Sequence, residues 1–531
     1  MYRYFLFLLS IFSTSSFSQS PQIEFQKSYG GTAQDRGYGV IKVNDGYAVV
    51  GHADSWDGDL TGNHGGSDFW LMQLDSSLNI IWQKALGGTG DDNAKSISLT
   101  LDGGFIISGT TNSEDGDVIG LHVDFIPHDD YWIVKTDSTG TIEWQKCLGG
   151  TYMDWGHQIV QTSDSGYIVI GEGMSTDGDI TGHIGSIGDD DFWIVKLDNL
   201  GNLLWQKCFG GTEMDQGYSI CETSDGGFIA CGTTLSVDSQ VTYNHGGFDV
   251  WVLKIDNTGN LQWQKSYGGS GGDGAFKIIR LGSGYIFIGN TDSNNGDVVG
   301  FHGTGDNWVV AIDSIGGILW QRCYGGSGPD VGKDIKSTTD NGFILTGYTG
   351  SVDGDVTGWH GVADYWVIKI DSVGGIVWQK CIGGTGFDGG YETIEDSNNS
   401  FITVGYSQSD DGDITNNHGG QCGPPVCDDF WVTKLSISLT GILEPASISN
   451  YFNVYLNLSG TLSLNFDASE NEITQLKVFD SRGRIIFDKP LSVKNGYNKY
   501  EVYPGDIPEG LYLVTLYMKG STSIKKVVKN F

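Results

Sequence analysis

Five Asp-Gly-Asp tripeptides crowd carboxylates around a flexible turn: Asp57 and Asp59, Asp115 and Asp117, Asp177 and Asp179, Asp353 and Asp355, and Asp411 and Asp413. Two further copies keep a single acid, Asp238 in Ser-Val-Asp-Ser and Asp297 in Asn-Gly-Asp. Alternating carboxylates around a glycine suit a hard cation such as calcium, with backbone carbonyls completing the shell. The same residues serve equally as turn caps that accept backbone N–H bonds. The spacing is not that of a twelve-residue EF-hand loop, and no fixed Glu follows. The residues alone allow both chemistries.

A histidine recurs in the same stretch, at His64, His122, His183, His245, His302, His360 and His418. Zinc needs several ligands converging on one point, whereas each copy offers a single ring. Hydrogen bonding within the loop is therefore the expectation, with the Asp before the following aromatic pair, such as Asp68 or Asp191, tying the loop closed. Trp56 and Trp359, set among Asp and Asn, are candidate platforms for stacking on sugar rings. Catalysis needs an acid and a base in unlike environments, and residues that repeat in register do not supply that asymmetry. The departures are His52, His128, His157, Glu172, Glu213 and Trp359. No nucleophile elbow, HExxH or phosphate-cradling loop occurs. Binding is thus favoured over catalysis, with a polysaccharide hydrolase or lyase as the enzymatic alternative.

What must position these residues is an array. Trp-Gln-Lys begins at Trp82, Trp144, Trp205, Trp263 and Trp378, with Trp-Gln-Arg at Trp320 and Phe-Gln-Lys at Phe25, at spacings of 57, 62, 61, 58, 57 and 58. A second series holds Trp70, Trp132, Trp193, Trp251, Trp308, Trp366 and Trp431, so the two series take thirteen of the sixteen tryptophans. Tryptophan here is architectural. One unit reads as four short apolar runs, His157–Thr162, Tyr167–Gly171, Phe192–Leu197 and Leu203–Cys208. Gly, Asn and Asp in two of the separators mark hairpin turns. Four antiparallel strands in about sixty residues is the size of a β-propeller blade. The segment Phe192–Trp205 resembles the quinoprotein-type propeller repeat, which implies that the Trp-Gln-Lys strand is the outer edge of each blade and carries a docking Trp; no quinone site is implied.

The chain enters on an outer-type strand, residues 23–31, and the array ends on a third-type strand at residues 428–435. The expectation is an all-β, seven-bladed propeller over residues 19–436, closed by its N-terminal strand; an eight-bladed ring or an open array is the competitor. Because strands alternate in direction, the Asp-Gly-Asp loop and the Gly-Gly-x-x-x-Asp connection should share one face. That connection places Asp35, Asp92, Asp154, Asp215, Asp273, Asp330 and Asp388 in equivalent positions.

Formal charge is −35 over 531 residues; ten Lys/Arg and eight Asp/Glu lie from residue 451 onward, leaving twenty and fifty-seven before it. So acidic a body repels phosphate backbones, which argues against a nucleic-acid partner. Residues 1–18, with Arg3 before the apolar run Phe5–Phe12, have the layout of a cleavable export signal, and no later run is long enough to span a bilayer. Of the eight cysteines, Cys422 and Cys427 close a short loop and are the expected disulfide. Cys221 and Cys231 flank a predicted hairpin and could also meet. Cys147, Cys208, Cys323 and Cys381 follow the Trp-Gln-Lys motif and read as small buried residues.

A linker, residues 437–450, leads to alternating strands from Tyr451 that suggest a small β-sandwich. Val478-Phe-Asp-Ser-Arg482-Gly483-Arg484, Gly510-Leu-Tyr512-Leu-Val and the basic end Lys525–Lys529 are similar to the C-terminal sorting domain of type IX secretion substrates of Bacteroidota. The resemblance implies recognition of residues 451–531 by the secretion machinery, an extracellular or outer-membrane-surface location, and removal of the tail. The alternative is an adhesive Ig-like module that stays attached. The combined reading is a secreted binding or structural protein using its acidic loop face for a glycan or protein ligand.

Overall fold

The computed structural model describes residues 20–437 except 45, 123–127, 398 and 419–426, and beyond them 452–456, 461–468, 471–480, 484–504, 510–518 and 521–529. The expected export signal, the expected linker from residue 438 on, and Cys422 lie outside the described residues. Every element in the chain order is a strand. Among the described residues no helix is long and apolar enough to cross a membrane. Two compact units separate at Ile437/Ser438.

The first unit is a β-propeller of seven four-stranded antiparallel sheets. In the first sheet Asp35–Val43, Gly46–Ala53, Asp68–Asp75 and Ile80–Leu86 pair in chain order. The next five sheets repeat this order, and their second and third strands are buried on both faces, because each sheet is covered by a neighbour on either side. The seventh sheet differs: Asp388–Ser397, Ser400–Ser407 and Asp429–Ser436 are joined by Gln22–Tyr29 from the N-terminus, with Gln22 opposite Ser436 and Tyr29 opposite Phe430. First and last sheets also bond directly, Asp35 N–H donating to the Asp428 carbonyl and Val40 N–H to Glu392. The ring is closed by pairing, so closure leaves no strand edge bare.

Both tryptophan series have assigned tasks. The third-strand residues Trp70, Trp132, Trp193, Trp251, Trp308, Trp366 and Trp431 are the largest fully buried side chains. Each indole N–H donates to the Gln of a Trp-Gln-Lys strand, Gln83, Gln145, Gln206, Gln264, Gln321, Gln379 and, across the closure, Gln26, at 2.6–3.0 Å. The amide nitrogen of the same Gln donates into the Asp-Gly-Asp loop, as Gln145 does to the Ile119 carbonyl at 3.0 Å and Gln321 to Val299 at 3.0 Å. One side chain thus satisfies a buried indole and holds the loop above it. The outer-strand tryptophans dock on the next sheet: Trp82 lies over Gly140, whose φ of 76° and missing side chain leave room for the ring.

Cys147, Cys208, Cys323 and Cys381 are free and buried. Cys221 and Cys231 do not form the disulfide that their hairpin suggested: Cys221 pairs with Ile229 and Cys231 with Ser219, leaving the thiols on a diagonal two residues out of register, and both are free. Cys427 is disulfide-bonded.

The second unit holds a three-stranded and a four-stranded antiparallel sheet. Leu464 and Phe466 from the first share one hydrophobic cluster with Leu476, Val478, Val514 and Leu516 from the second.

Candidate functional site: the loop face and the channel it surrounds

The repeated acids are engaged in holding the loop face together. In every sheet junction the strand-opening Asp (Asp35, Asp92, Asp154, Asp215, Asp273, Asp330, Asp388) is at most 1% exposed. Its Oδ2 accepts the N–H of the second glycine of the Gly-Gly turn at 2.7–2.9 Å and a Ser hydroxyl from the Asp-Gly-Asp loop at 2.6–2.8 Å. This bond set places the long loop and the short connection on one face.

The Asp-Gly-Asp acids work in the same way. Asp57, Asp115, Asp177, Asp353 and Asp411 each accept the backbone N–H of Thr32, Thr89, Thr151, Ser327 and Thr385, the residue after Gly-Gly, at 2.7–2.8 Å. Asp238 does so for Thr212 at 2.9 Å. The second acids lean on the same turn: the N–H of Asp59, Asp117, Asp179, Asp355 and Asp413 donates to the first-glycine carbonyl at 2.8–2.9 Å, and Asp117, Asp179, Asp355 and Asp413 also accept a glycine N–H at 3.3–3.4 Å. The glycine between each pair is left-handed, as at Gly58 with φ 70°, and presses on the Gly30 carbonyl where a Cβ would come within 2.0 Å. Among the described residues no three His, Cys, Asp or Glu side chains converge as a metal site would require. The first acid of each pair is thus engaged as a turn cap, one of the two chemistries that the residues allow.

Six of the loop histidines bond through Nδ1 to the Asp that opens the third strand, at 2.6–2.8 Å: His64 to Asp68, His122 to Asp130, His245 to Asp249, His302 to Asp306, His360 to Asp364 and His418 to Asp429. His183 is not in register with them. Ile184 takes the place of the histidine, its N–H donating to Asp191 at 2.7 Å, while the His183 ring turns to the Asp189 carbonyl. Asp191 is left buried without an imidazole and close to Asp215. Burial, with the charge of Asp215 adding to it, pushes its carboxyl up to about 8, against about 6 for Asp68, Asp249, Asp364 and Asp429.

Trp56 and Trp359 stand on the loops of the first and sixth sheets, 67% and 39% exposed. Among the described residues neither is hydrogen-bonded to the Asp framework. Of the loops that depart from the repeat, residues 123–127 and 419–426 lie outside the described residues.

The asymmetry lies at the centre. Each first strand carries a bulge three residues after its opening Asp, between Gly37 and Gly39, Ala94 and Ser96, Gly156 and Gln158, Gly217 and Ser219, Ala275 and Lys277, Gly332 and Asp334, and Gly390 and Glu392. A bulge re-aims a side chain. The bulged residues are Tyr38, Lys95, His157, Tyr218, Phe276, Lys333 and Tyr391, and all seven line one cavity of about 260 Å³ on the ring axis. At about 3.3 Å per residue they sit roughly 10 Å below the loop-face end of the strands.

These residues form two arcs. Tyr38 and Tyr391 meet edge-on at 4.6 Å, with the Lys95 ammonium 4.1 Å from the Tyr38 ring centre. His157, Tyr218 and Phe276 follow one another at 4.9 and 5.2 Å, with Lys333 4.0 Å from Phe276. One step further from the loop face Lys277 lies 3.9 Å from Asp334, and Glu392 at the same level lies 2.5 Å from Lys336, three residues beyond Lys333. Burial, reinforced by the charge of Lys95, brings the Lys333 ammonium down to about 8. At the mouth Arg36 pairs with Asp428, Gln216 donates to Asp190 at 2.7 Å, and His157 Nε2 lies 2.9 Å from the buried Glu172 carboxylate.

His157 and Glu172 are the departures from the repeat that this channel brings together. His128 packs on Tyr152 in a loop instead, and Glu213 uses its N–H to bond Ser236. His52 is buried behind Tyr38, where burial and then Lys95 and Arg36 hold it well below the usual histidine range. Sequence reasoning missed Tyr38, Lys95, Tyr218, Phe276, Lys333 and Tyr391. Their signal is one variable position inside a fixed frame, Asp-x-Gly/Ala-x, in seven aligned copies.

No curated protein sequence matches the chain. Among solved structures it resembles Sqt1 from Chaetomium thermophilum at 12% identity and TM-score 0.35, covering 73% of this chain and 97% of that one. The apocarotenoid oxygenase of Synechocystis aligns at 11% and 0.36 over 73% and 88%, and the Pan2 WD40 domain of Neurospora crassa at 10% and 0.31 over 62% and 92%. Residues 453–530 match the family described as the secretion system C-terminal sorting domain. The chain is therefore a β-propeller carrying a type IX secretion sorting tail, a protein exported to the cell surface or the extracellular space.

Proposed function

We propose that the propeller is a binding module that receives a glycan or protein ligand on its loop face, at the mouth of the central channel. One observation carries this reading: seven structurally equivalent bulges present Tyr, Lys, His, Tyr, Phe, Lys and Tyr to a single cavity, while almost everything else repeats. A rigid ring with variation confined to one concave spot is how repeat scaffolds acquire ligands. Trp56 and Trp359 serve as outer contacts for a ligand that extends over the rim. The sorting tail engages the secretion machinery and is removed after export.

The test is a glycan array and a cell-binding assay on the full chain and on Tyr218→Ala. Binding that the variant weakens by about tenfold or more supports the channel, and truncation of an aromatic anchor is expected to cost that much. Binding that Tyr218→Ala leaves intact moves the site away from the channel, and no hit on glycans or cells leaves a structural coat role.

A second reading, a polysaccharide hydrolase or lyase, rests on the His157–Glu172 contact beside Tyr218, since a carboxylate-oriented imidazole is a usable base. The other channel carboxylates, Asp334 and Glu392, face Lys277 and Lys336. Release of new reducing ends from polysaccharide, lost in His157→Ala, would favour it.

A further inference from the structure

Resting on the reading that the channel receives a ligand, we propose that it holds an anionic group, a carboxylate or sulfate ester borne on a single sugar-sized ring, between the Lys95 and Lys333 ammoniums. The lysines of this cavity divide into two kinds. Lys277, which lines the cavity, and Lys336, which does not, are matched by Asp334 and Glu392, and this pair of contacts accounts for both carboxylates lining it. Lys95 and Lys333 have no carboxylate and no hydrogen-bond acceptor among the described residues; each lies over an aromatic face, Tyr38 or Phe276. A ring face attracts the cation but leaves its N–H donors unspent. The two ammoniums also feel one another, because the charge of Lys95 adds to burial in depressing Lys333. Two like charges turned toward one cavity are unfavourable until an anion sits between them.

The surroundings set the rest of the ligand. Tyr38, Phe276, Tyr218 and Tyr391 offer ring faces and edges around the charge. The volume, about 260 Å³, falls just below the range of drug-sized pockets, so it takes one ring. The acids of the rim repel an extended polyanion that must lie along them, while a small anion held roughly 10 Å below the loop face is beyond the Debye length of about 8 Å at physiological salt. A terminal acidic sugar or its sulfated counterpart meets all three conditions. If the lysines only propped the bulges open, Met would replace them without effect on any ligand.

The experiment is calorimetric titration of the full chain with glucuronate, glucose 6-sulfate, inorganic sulfate and glucose at constant ionic strength and neutral pH. Glucuronate or glucose 6-sulfate is expected to bind at least about tenfold more tightly than glucose, and the comparison between them identifies the preferred anion. Affinity falls as pH rises past about 8, where Lys333 loses its charge. Lys95→Met with Lys333→Met abolishes the preference for the acidic sugar, and Lys95→Arg with Lys333→Arg restores part of it if the Met pair folds poorly. Equal affinity for glucuronate and glucose overturns the proposal, as does undiminished glucuronate binding in a folded Met pair, or no heat from any of the anions at about 10 mM, where a site of millimolar affinity is well occupied. A neutral glycan that binds, is lost in Tyr218→Ala and ignores both lysines overturns the anion while leaving the channel as the site.

Discussion

The closure of the ring makes a quantitative prediction at Gln26 and Trp431. Trp431 is fully buried, and its indole N–H has one acceptor, Gln26 Oε1 at 2.9 Å, delivered by the N-terminal strand. Gln26→Leu strands that N–H in an apolar interior, which costs about 1–3 kcal/mol. Trp431→Phe removes the donor and adds a packing loss of its own, whereas the double variant has neither donor nor acceptor left to satisfy. The coupling energy of the cycle is therefore about 1–3 kcal/mol, with packing terms cancelling between the two Phe variants. The assay is urea unfolding followed by tryptophan fluorescence; all sixteen tryptophans precede residue 451, so the signal reports the propeller without the tail. The internal pair Trp193 and Gln206, at 2.8 Å, is the reference. Coupling below about 0.5 kcal/mol at both pairs, the level at which independent sites already add, refutes the assignment of Gln as the clasp. Coupling at the internal pair alone refutes closure by the N-terminal strand.

Three further outcomes follow from the loop face and one from the tail. Ser239 holds the position of the loop glycine at φ 52°, and the Gln240 N–H bond to Gly210 is stretched to 3.2 Å where the other copies have 2.8–2.9 Å, so Ser239→Gly is expected to stabilise by about 1–2 kcal/mol in urea; unchanged or lower stability counts against strain there. Asp191 binds its proton more tightly folded than unfolded, so its contribution is complete below the ordinary Asp range and is lost as pH rises toward 8. Asp191→Asn, compared by melting temperature from pH 4 to 9, should flatten that decline, and an unaltered slope contradicts the assignment. As a turn cap, Asp57 should be indifferent to calcium: the ion at millimolar concentration leaves the melting temperature unchanged, while Asp57→Ala lowers stability by about 1 kcal/mol through loss of the Thr32 cap; a calcium-dependent rise that Asp57→Ala removes would favour the metal. Mass spectrometry of the exported product should find residues 451–531 removed, and a retained tail would favour an attached module.

The architecture was legible because it repeats. Thirteen tryptophans in two series and seven strand-opening aspartates mark the sheets, and Phe25-Gln-Lys announced that the N-terminal strand belongs to the last of them. The task of the Gln was hidden, since it takes three dimensions to see one amide serve an indole on one side and a loop carbonyl on the other. The acids drew attention for their charge, yet their repetition was the better guide: a group present in every junction is doing what every junction needs. Chemistry was concealed for the opposite reason. Tyr38, Lys95, His157, Tyr218, Phe276, Lys333 and Tyr391 are of four residue types in no regular order, and only the bulge, invisible in a pattern of alternating residues, turns them all inward. His183 misled because a one-residue slip in an inserted loop preserves the letter and changes its partner.

The pairing of Gln22 with Ser436 brings the two extremities of the propeller side by side. It is a circular molecule in all but one covalent link. Joining those ends through a short linker and cutting any other hairpin turn should give permuted proteins with the same core. It also means that the last sheet cannot assemble until more than four hundred residues have been made and folded back, so a chain halted before that point keeps its opening strand unpaired.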